Sequence, residues 1–307
     1  MSWFDRFVQF LTKPPLPPFL LQITAHRLTG FRVKEEDRRE NRYFISFLEP
    51  GLIEPSVEKS NLRAPDKLLT LIQQELKKIG GQKGALSLLL PESCFRVFLL
   101  LTESLPASSQ ERLALIRWRV KKLYPLLPED FRFDYQSWRI DSGYKLLVVG
   151  AKETVIKEYE DLFSRAGWQV RLIGVPTIYL LALIKEKDFL LVNIEKDYLA
   201  LLACFNGIPW LYRVKSFYFE KEGDLFQPGL AEIENTLHFI EDKEKREIKK
   251  IIIRWVAKTD DEPYLINSLE RLGLEIKKLE AKGFLDLNEA DQNLLAPLLG
   301  LLANQGI

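Results

Sequence analysis

The chain has 307 residues, of which 47% are hydrophobic, so it can bury one large core or two moderate ones. The 44 Lys and Arg residues nearly balance the 43 Asp and Glu residues, and this net charge of +1 argues against a dedicated nucleic-acid-binding protein. The two cysteines lie in apolar runs and form no CxxC pair, which predicts buried, reduced thiols and no zinc site.

The first residues predict a short amphipathic helix at 1–12, with Trp3, Phe4 and Phe7 on its apolar face. The proline-rich stretch that follows, to residue 18, is typical of a stiff extended linker, because proline fixes φ and removes backbone donors. Two interpretations remain open for the helix: it contacts a membrane surface or a partner, or it packs back onto its own domain.

From residue 19 onward the pattern predicts alternating strands and helices. Strands are predicted at 19–25, 28–33, 43–49, 85–90, 95–101, 131–139, 144–150, 168–174, 189–194, 198–205, 210–217, 251–253 and 274–279. Helices are predicted at 66–79, 109–124, 153–166, 176–186, 229–243, 263–272 and 288–303. Asp66 and Ser109 are the predicted N-caps of their helices, and Asn206-Gly207 predicts a tight hairpin.

Two successive halves each begin with a hairpin and continue with alternating helices and strands. This internal duplication predicts a two-lobed α/β protein. We expect a first lobe at 19–186 and a second at 187–285. Residues 286–307 are expected to form a terminal helix that returns to the first lobe. The sequence contains no run of about 18 apolar residues and no secretory signal pattern at its start, which predicts a cytoplasmic protein.

Several segments resemble one known family in their order and spacing. They are the strand and turn ALSLLLPES at 85–93, the helix and proline-bracketed loop at 116–131, the strand–helix–turn at 147–168 and the closing APLLGLL at 296–302. Together they are similar to the PilM family of type IV pilus machines and to the related cytoplasmic part of type II secretion L proteins.

The resemblance implies an actin-like fold, which is a duplicated ribonuclease H-like fold. It also implies a small inserted β–β–α–β–β subdomain at about 85–150 in the first lobe. In the family the lobes hold ATP, and a groove of the first lobe holds a short N-terminal peptide of a membrane protein called PilN. A PilN-like inner-membrane protein tail is therefore the expected partner, together with other pilus platform or motor proteins.

An actin-like nucleotide site needs an Asp-x-Gly hairpin in each lobe and a Gly-Gly loop, because carboxylates manage Mg²⁺ and glycines let backbone amides approach phosphate. All three elements are altered here. The first hairpin has Gln22 and Thr24 at the Asp and Gly positions, the second has Asn193 and Glu195, and the loop has Arg254 and Trp255. We predict that Glu195 opposes phosphate and that Trp255 obstructs an adenosine pocket, so no cofactor is expected.

Partner contacts are predicted on the helix at 109–124. The candidate residues, spaced by three and four, are Leu113, Ile116, Arg117, Val120 and Tyr124. The alternative is that the apolar members of this set face the core of their own domain.

The sequence therefore favours a non-catalytic cytoplasmic scaffold at the inner face of the inner membrane, a pseudo-ATPase that binds proteins and no nucleic acid. Two alternatives stay open. One is an ATP-binding switch or weak ATPase on the same fold, with ATP and Mg²⁺ as cofactors. The other is a peripheral membrane protein that acts through Trp3, Phe4 and Phe7.

Overall fold

A computed structural model describes residues 16–33, 42–217, 226–257, 261–281 and 287–304. The predicted helix at 1–12, with Trp3, Phe4 and Phe7, lies outside the described residues. By their internal contacts the described residues fall into two compact units. Unit 1 lies within Met1–Glu92, Ile156–Ile184 and Glu280–Ile307, and unit 2 within Ser93–Val155 and Lys185–Leu279.

The structure contains the strands and helices in the predicted order. The strands are β1 (Phe19–Ile23), β2 (Arg27–Arg32), β3 (Arg42–Phe47), β4 (Gly84–Leu89), β5 (Arg96–Thr102), β6 (Phe131–Ile140), β7 (Gly143–Lys152), β8 (Trp168–Gly174), β9 (Phe189–Ile194), β10 (Tyr198–Phe205), β11 (Ile208–Ser216), β12 (Lys250–Trp255) and β13 (Glu275–Lys278). The helices are α1 (Pro65–Lys78), α2 (Ser109–Leu123), α3 (Glu153–Arg165), α4 (Pro176–Leu180), α5 (Phe226–Phe239), α6 (Glu262–Arg271) and α7 (Glu289–Ala303). No helix among the described residues is long and apolar enough to cross a bilayer.

Two five-stranded sheets repeat one topology. The order is β3-β2-β1-β4-β8 in unit 1 and β11-β10-β9-β12-β13 in unit 2. In each sheet an antiparallel meander of three strands is extended from its first strand by two parallel strands. The predicted internal duplication is therefore visible strand by strand, and the mixed α/β architecture agrees with the predicted fold class.

A third sheet has the order β5-β7-β6 and carries α2 on one face. Residues Phe98, Leu146 and Val148 of the sheet pack against Ile116 and Val120 of the helix. This small subdomain begins after β4, because β4 belongs to the five-stranded sheet of unit 1. Its residues group with the second five-stranded sheet, since β11 contacts both β5 and β7, whereas the sequence had assigned the insertion at 85–150 to the first lobe.

Three local predictions need correction. Helix α1 begins at Pro65, and its N-cap, Ala64, has no side-chain hydrogen bond. The Asp66 carboxylate instead forms an ion pair with Arg165, with 2.5 Å between Oδ1 and Nη2. The N-cap of α2 is Ser108, one residue before the predicted Ser109, and its hydroxyl accepts from the backbone amide of Glu111. The helix predicted at 176–186 is short, because α4 is followed by a 3-10 turn at Leu181–Leu183.

Helix α7 covers one face of the sheet in unit 1. It packs on β1, β2 and α4, and the Tyr43 hydroxyl of β3 donates to Asp291 at 2.9 Å. The Asn288 side chain caps its first turn by accepting from the backbone amide of Asp291. Gly300 permits the close approach to α4, because a Cβ at this position would overlap the carbonyl oxygen of Tyr179.

Candidate functional site

The two hairpins with the altered nucleotide motifs have equivalent backbone hydrogen bonds. In unit 1 the backbone amide of Thr24 donates to the carbonyl of Arg27 at 2.8 Å, and in unit 2 the amide of Glu195 donates to Tyr198 at 2.9 Å. Gln22 and Asn193 occupy matching positions near the ends of β1 and β9. The two motifs therefore occupy equivalent backbone positions in their units.

The hairpin of unit 2 is filled by a buried ionic network. Arg254 lies beside Asn193 in the parallel register of β12 and β9. Its Nη1 donates to Asn193 Oδ1 at 2.7 Å and to Glu195 Oε1 at 2.8 Å. The Arg254 and Glu195 side chains are 0% and 3% exposed. The cation at this hairpin is thus supplied by the chain's own guanidinium.

This network changes the electrostatics that the sequence predicts for Glu195. An unpaired carboxylate would repel phosphate, but the carboxylate of Glu195 is neutralised by Arg254 inside the protein. A guanidinium is charged at every physiological pH, and removing it from water is costly unless it is paired and hydrogen-bonded. The two groups therefore stabilise each other and depend on each other.

Trp255, on the other side of β12, lies in the hydrophobic core of unit 2 with Ile194, Ile233 and Leu265. Its indole N–H donates to the carbonyl of Ala257 at 2.7 Å. The structure therefore gives this side chain a packing role within the unit. Its predicted obstruction of an adenosine pocket stays a prediction.

The hairpin of unit 1 has neutral residues, Gln22 and Leu89, at the positions that match Asn193 and Arg254. Gln22 is fully buried, and neither atom of its side-chain amide has a hydrogen-bond partner among the described residues. Thr29, opposite Gln22 on β2, and Ser87 on β4 are equally buried, and their hydroxyls also lack partners there. Leu89 occupies the position next to Gln22 that Arg254 occupies next to Asn193.

The residues present do not fit Mg²⁺ and ATP. A hard cation prefers carboxylate oxygens, whereas both Asp positions carry amides, Gln22 and Asn193. The Gly positions carry Thr24 and Glu195, and the Glu195 carboxylate is engaged by Arg254. Among the described residues, no group of three or more His, Cys, Asp and Glu side chains could hold a metal ion.

The predicted partner residues on α2 separate into two sets. Ile116 and Val120 have no exposed surface and lie in the core of the small subdomain, as the alternative of core packing predicts. Leu113 and Tyr124 are exposed. Arg117 donates to the carbonyls of Glu129 and Phe131, at 3.0 and 2.7 Å, and so fixes the loop after the helix.

Some features of the site escaped the sequence prediction. The pairing of Arg254 with Glu195 joins residues 59 positions apart, and only the register of β9 against β12 brings them together. A second cation cluster lies in unit 2, where Lys145 Nζ and Arg246 Cζ each lie 4.2 Å from the centroid of the Trp210 ring. Isolated aromatic and basic residues in the sequence give no signal for such stacking.

Comparison with solved structures defines the class of fold. The chain has the actin-like ATPase fold. It shares that fold with a protein of unknown function from Bacteroides thetaiotaomicron, with a TM-score of 0.51, 9% identity and coverage of 90% of this chain and 94% of that one. No protein-family model matches the chain, and no curated protein matches it.

A greater similarity is found to a chain of a PilM–PilN type IV pilus biogenesis complex. The TM-score is 0.76 at 16% identity, covering 95% of this chain and 99% of that chain. The cytoplasmic domain of EpsL, an inner-membrane component of the type II secretion system of Vibrio cholerae, gives a TM-score of 0.52 at 10% identity over 92% of this chain and 94% of that domain. The resemblance to PilM and to secretion L proteins is thereby confirmed at the level of the fold.

Proposed function

We propose that this protein is a non-catalytic scaffold of a type IV pilus or type II secretion assembly platform. In this role it lies in the cytoplasm at the inner face of the inner membrane and holds the tail of a PilN-like membrane protein. The similarity in fold to a chain of the PilM–PilN complex and to the EpsL cytoplasmic domain supports the setting. The buried network of Arg254, Glu195 and Asn193 carries the non-catalytic part of the proposal.

The reasoning from this network is electrostatic. ATP needs a cation and a close backbone approach to its phosphates. In unit 2 the carboxylate at the Gly position of the hairpin, Glu195, is already paired with an internal guanidinium. In unit 1 the corresponding position is the neutral, buried Gln22. Rebuilding either hairpin to hold Mg²⁺ would leave charges or polar groups without partners, which is costly in a protein interior.

With Ile116 and Val120 buried, the candidate partner residues that are still exposed lie on one side of α2 and at its C-terminal end. Leu113 and Arg117 are four residues apart and therefore share one side of the helix, and Tyr124 is its C-cap residue. Leu113 and Tyr124 expose apolar surface, and Arg117 adds a positive charge to the same side. A short peptide with an apolar anchor and an acidic group would match this surface.

Two calorimetric titrations test the proposal. The full chain is titrated with Mg-ATP and, separately, with a synthetic peptide of the cytoplasmic tail of the PilN-like protein from the source organism. We expect saturable heat with the peptide and none with Mg-ATP. Leu113→Glu should weaken peptide binding about tenfold or more, because it places a charge at an apolar contact. Leu272→Glu, at another exposed leucine of unit 2, is the matched control.

Saturable binding of Mg-ATP together with phosphate release would replace the scaffold by the ATPase alternative. Peptide binding that Leu113→Glu and Leu272→Glu affect equally would keep the scaffold but remove α2 as its surface. Arg117→Glu is a poorer test than Leu113→Glu, because Arg117 also fixes the loop through the carbonyls of Glu129 and Phe131.

A further inference from the structure

We propose that the C-terminal end of α2 and the loop after it bind the surface of an anionic phospholipid bilayer. The surface, here called the basic tip, consists of Trp118, Lys121, Lys122, Leu123 and Leu126. It is distinct from the side of α2 that carries Leu113 and Tyr124, and it does not rest on the proposed function.

The charge of the basic tip is concentrated. Lys121 and Lys122 carry its charge, and Arg117 and Arg119 lie beside them in the chain, so the ten residues from 117 to 126 contain four basic and no acidic residues, whereas the whole chain carries a net charge of only +1. Lys121 is more than half exposed, and its Nζ lies 3.7 Å from the carboxylate of the still more exposed Glu129, a distance that makes a weak surface pair. Such a segment is attracted to a surface that carries many negative headgroups, and each lysine adds to the attraction.

The apolar side chains of the basic tip project into solvent. Leu126 is 96% exposed, Leu123 60% and Trp118 52%. A side chain exposed to this degree has no walls of a groove around it, whereas sites for small ligands are concave. A bilayer accepts a projecting leucine or tryptophan without a complementary shape, because the headgroup region is fluid. The combination of projecting apolar groups and positive charge therefore matches an anionic lipid surface and does not match an enclosed small ligand.

The local geometry keeps charge and apolar surface together. Lys122 Nζ lies 3.9 Å from the centroid of the Trp118 ring, so the cation and the aromatic ring share one side of the helix, as their spacing of four residues requires. Between the helix end and its loop lies a cavity of about 280 Å³ lined by Arg117, Lys121, Leu127, Pro128 and Glu129. A lipid phosphate approaching Lys121 would compete with Glu129 for this lysine.

Vesicle sedimentation of the full chain tests the charge. Vesicles of phosphatidylcholine alone are compared with vesicles that contain phosphatidylglycerol. We expect binding only to the anionic vesicles, and weakening of about 20-fold or more in the double variant Lys121→Glu/Lys122→Glu. Lys59→Glu/Lys83→Glu makes the same change in net charge at exposed lysines of unit 1 and is the matched control. Residues 1–15 are identical in all these proteins, so any contribution from them cancels.

A fluorescent label tests insertion. Leu126→Cys can be labelled selectively with an environment-sensitive dye, because the native Cys94 and Cys204 are buried. Burial, reinforced by Asp188, raises the pKa of Cys204 to about 12, which keeps this thiol unreactive. We expect the dye at position 126 to shift to the blue with anionic vesicles, and a dye at Lys59→Cys to remain unchanged.

Three outcomes would overturn the proposal. They are no binding of the wild type to anionic vesicles, equal binding of the two double variants, and an unchanged emission at position 126 when the vesicles sediment the protein. Binding of an acidic peptide by the wild type without any vesicle binding would assign the basic tip to a protein partner instead. Circular dichroism and thermal melting of each variant show that the fold is retained in the comparison.

Discussion

At the scale of single residues, Arg254 is the side chain on which the state of the second hairpin depends. It is one of the largest fully buried side chains among the described residues. A buried ion pair adds little stability compared with apolar residues of the same size, but removing one partner leaves the other charge buried and unpaired. Arg254 is therefore held by Glu195 and Asn193, and a change at any of the three affects the others.

We predict that Arg254→Met lowers the free energy of unfolding by about 3–5 kcal/mol, because it leaves the Glu195 carboxylate buried without its cation. The double variant Arg254→Met/Glu195→Leu should recover most of this loss. Urea unfolding of Arg254→Met, Glu195→Leu and the double variant measures the coupling free energy between the two side chains. A single-variant loss below about 1 kcal/mol would mean that Glu195 is not paired as the structure shows.

The sequence predicted the two hairpins but not the chemistry of the second. The β1–β2 and β9–β10 hairpins have the predicted order, because a hairpin is a local feature with a local signature. The partner of Glu195 could not be predicted, since the contact depends on the long-range register of β9 and β12. A charge in the sequence gives no information about which distant charge it meets.

At the scale of elements, the terminal helix α7 depends on one glycine. The missing side chain of Gly300 lets α7 lie directly on the backbone at Tyr179, at the end of α4. The carbonyl oxygen there is part of the backbone and cannot move away as a flexible side chain could. Close packing therefore leaves no room for even one additional methyl group.

We predict that Gly300→Ala lowers the free energy of unfolding by about 1–3 kcal/mol through overpacking, despite the better helix propensity of alanine. Gly229→Ala in α5 is the matched control, because among the described residues outside the backbone of its own helix a Cβ at Gly229 has no neighbour within 4 Å. That substitution should raise stability by about 0.5–1 kcal/mol. Chemical denaturation measures the free energy of unfolding of both variants and of the wild type. Equal effects of the two substitutions would show that α7 does not approach Tyr179 so closely.

The elements themselves were largely predictable, and their ends were not. The long periodic helices and the Asn206-Gly207 hairpin follow from local pattern, and both hairpin residues adopt positive φ. The N-cap of α2 differs by one residue because Ser108 and Ser109 are adjacent and chemically equivalent. The cap predicted at Asp66 was wrong because the helix begins at Pro65, so Asp66 lies inside the first turn, where its carboxylate pairs with Arg165.

At the scale of the whole molecule, the grouping of the small subdomain is the feature that the sequence did not predict. The insertion lies between β4 and α3 in the chain, so sequence order associates it with the first lobe. Its contacts with β11 associate it with the second five-stranded sheet. Trp210 of β11 is central to this contact, because Lys145 of β7 and Arg246 both stack on its ring. Cation–π contacts of this kind become stronger when the cation is desolvated.

The burial of Lys145 gives the contact a dependence on pH. Burial lowers the pKa of Lys145 below its usual 10.5; Glu244 opposes this effect and Arg246 adds to it. The unfolded chain therefore binds the proton more tightly than the folded protein between the lowered pKa and 10.5. By linkage, the stability that the wild type has relative to Lys145→Met should rise as pH increases through this window.

Urea unfolding of the wild type and Lys145→Met at a series of pH values up to 10.5 gives this difference directly, since the other titrating groups are common to both proteins. Lys122→Met is the control, because it removes an exposed lysine that also lies over a tryptophan ring. If the stability of the wild type relative to Lys145→Met falls as pH rises, the folded protein stabilises the charged amine more than water does. The ring of Trp210 would then outweigh burial, and the subdomain would be attached to β11 mainly by charge.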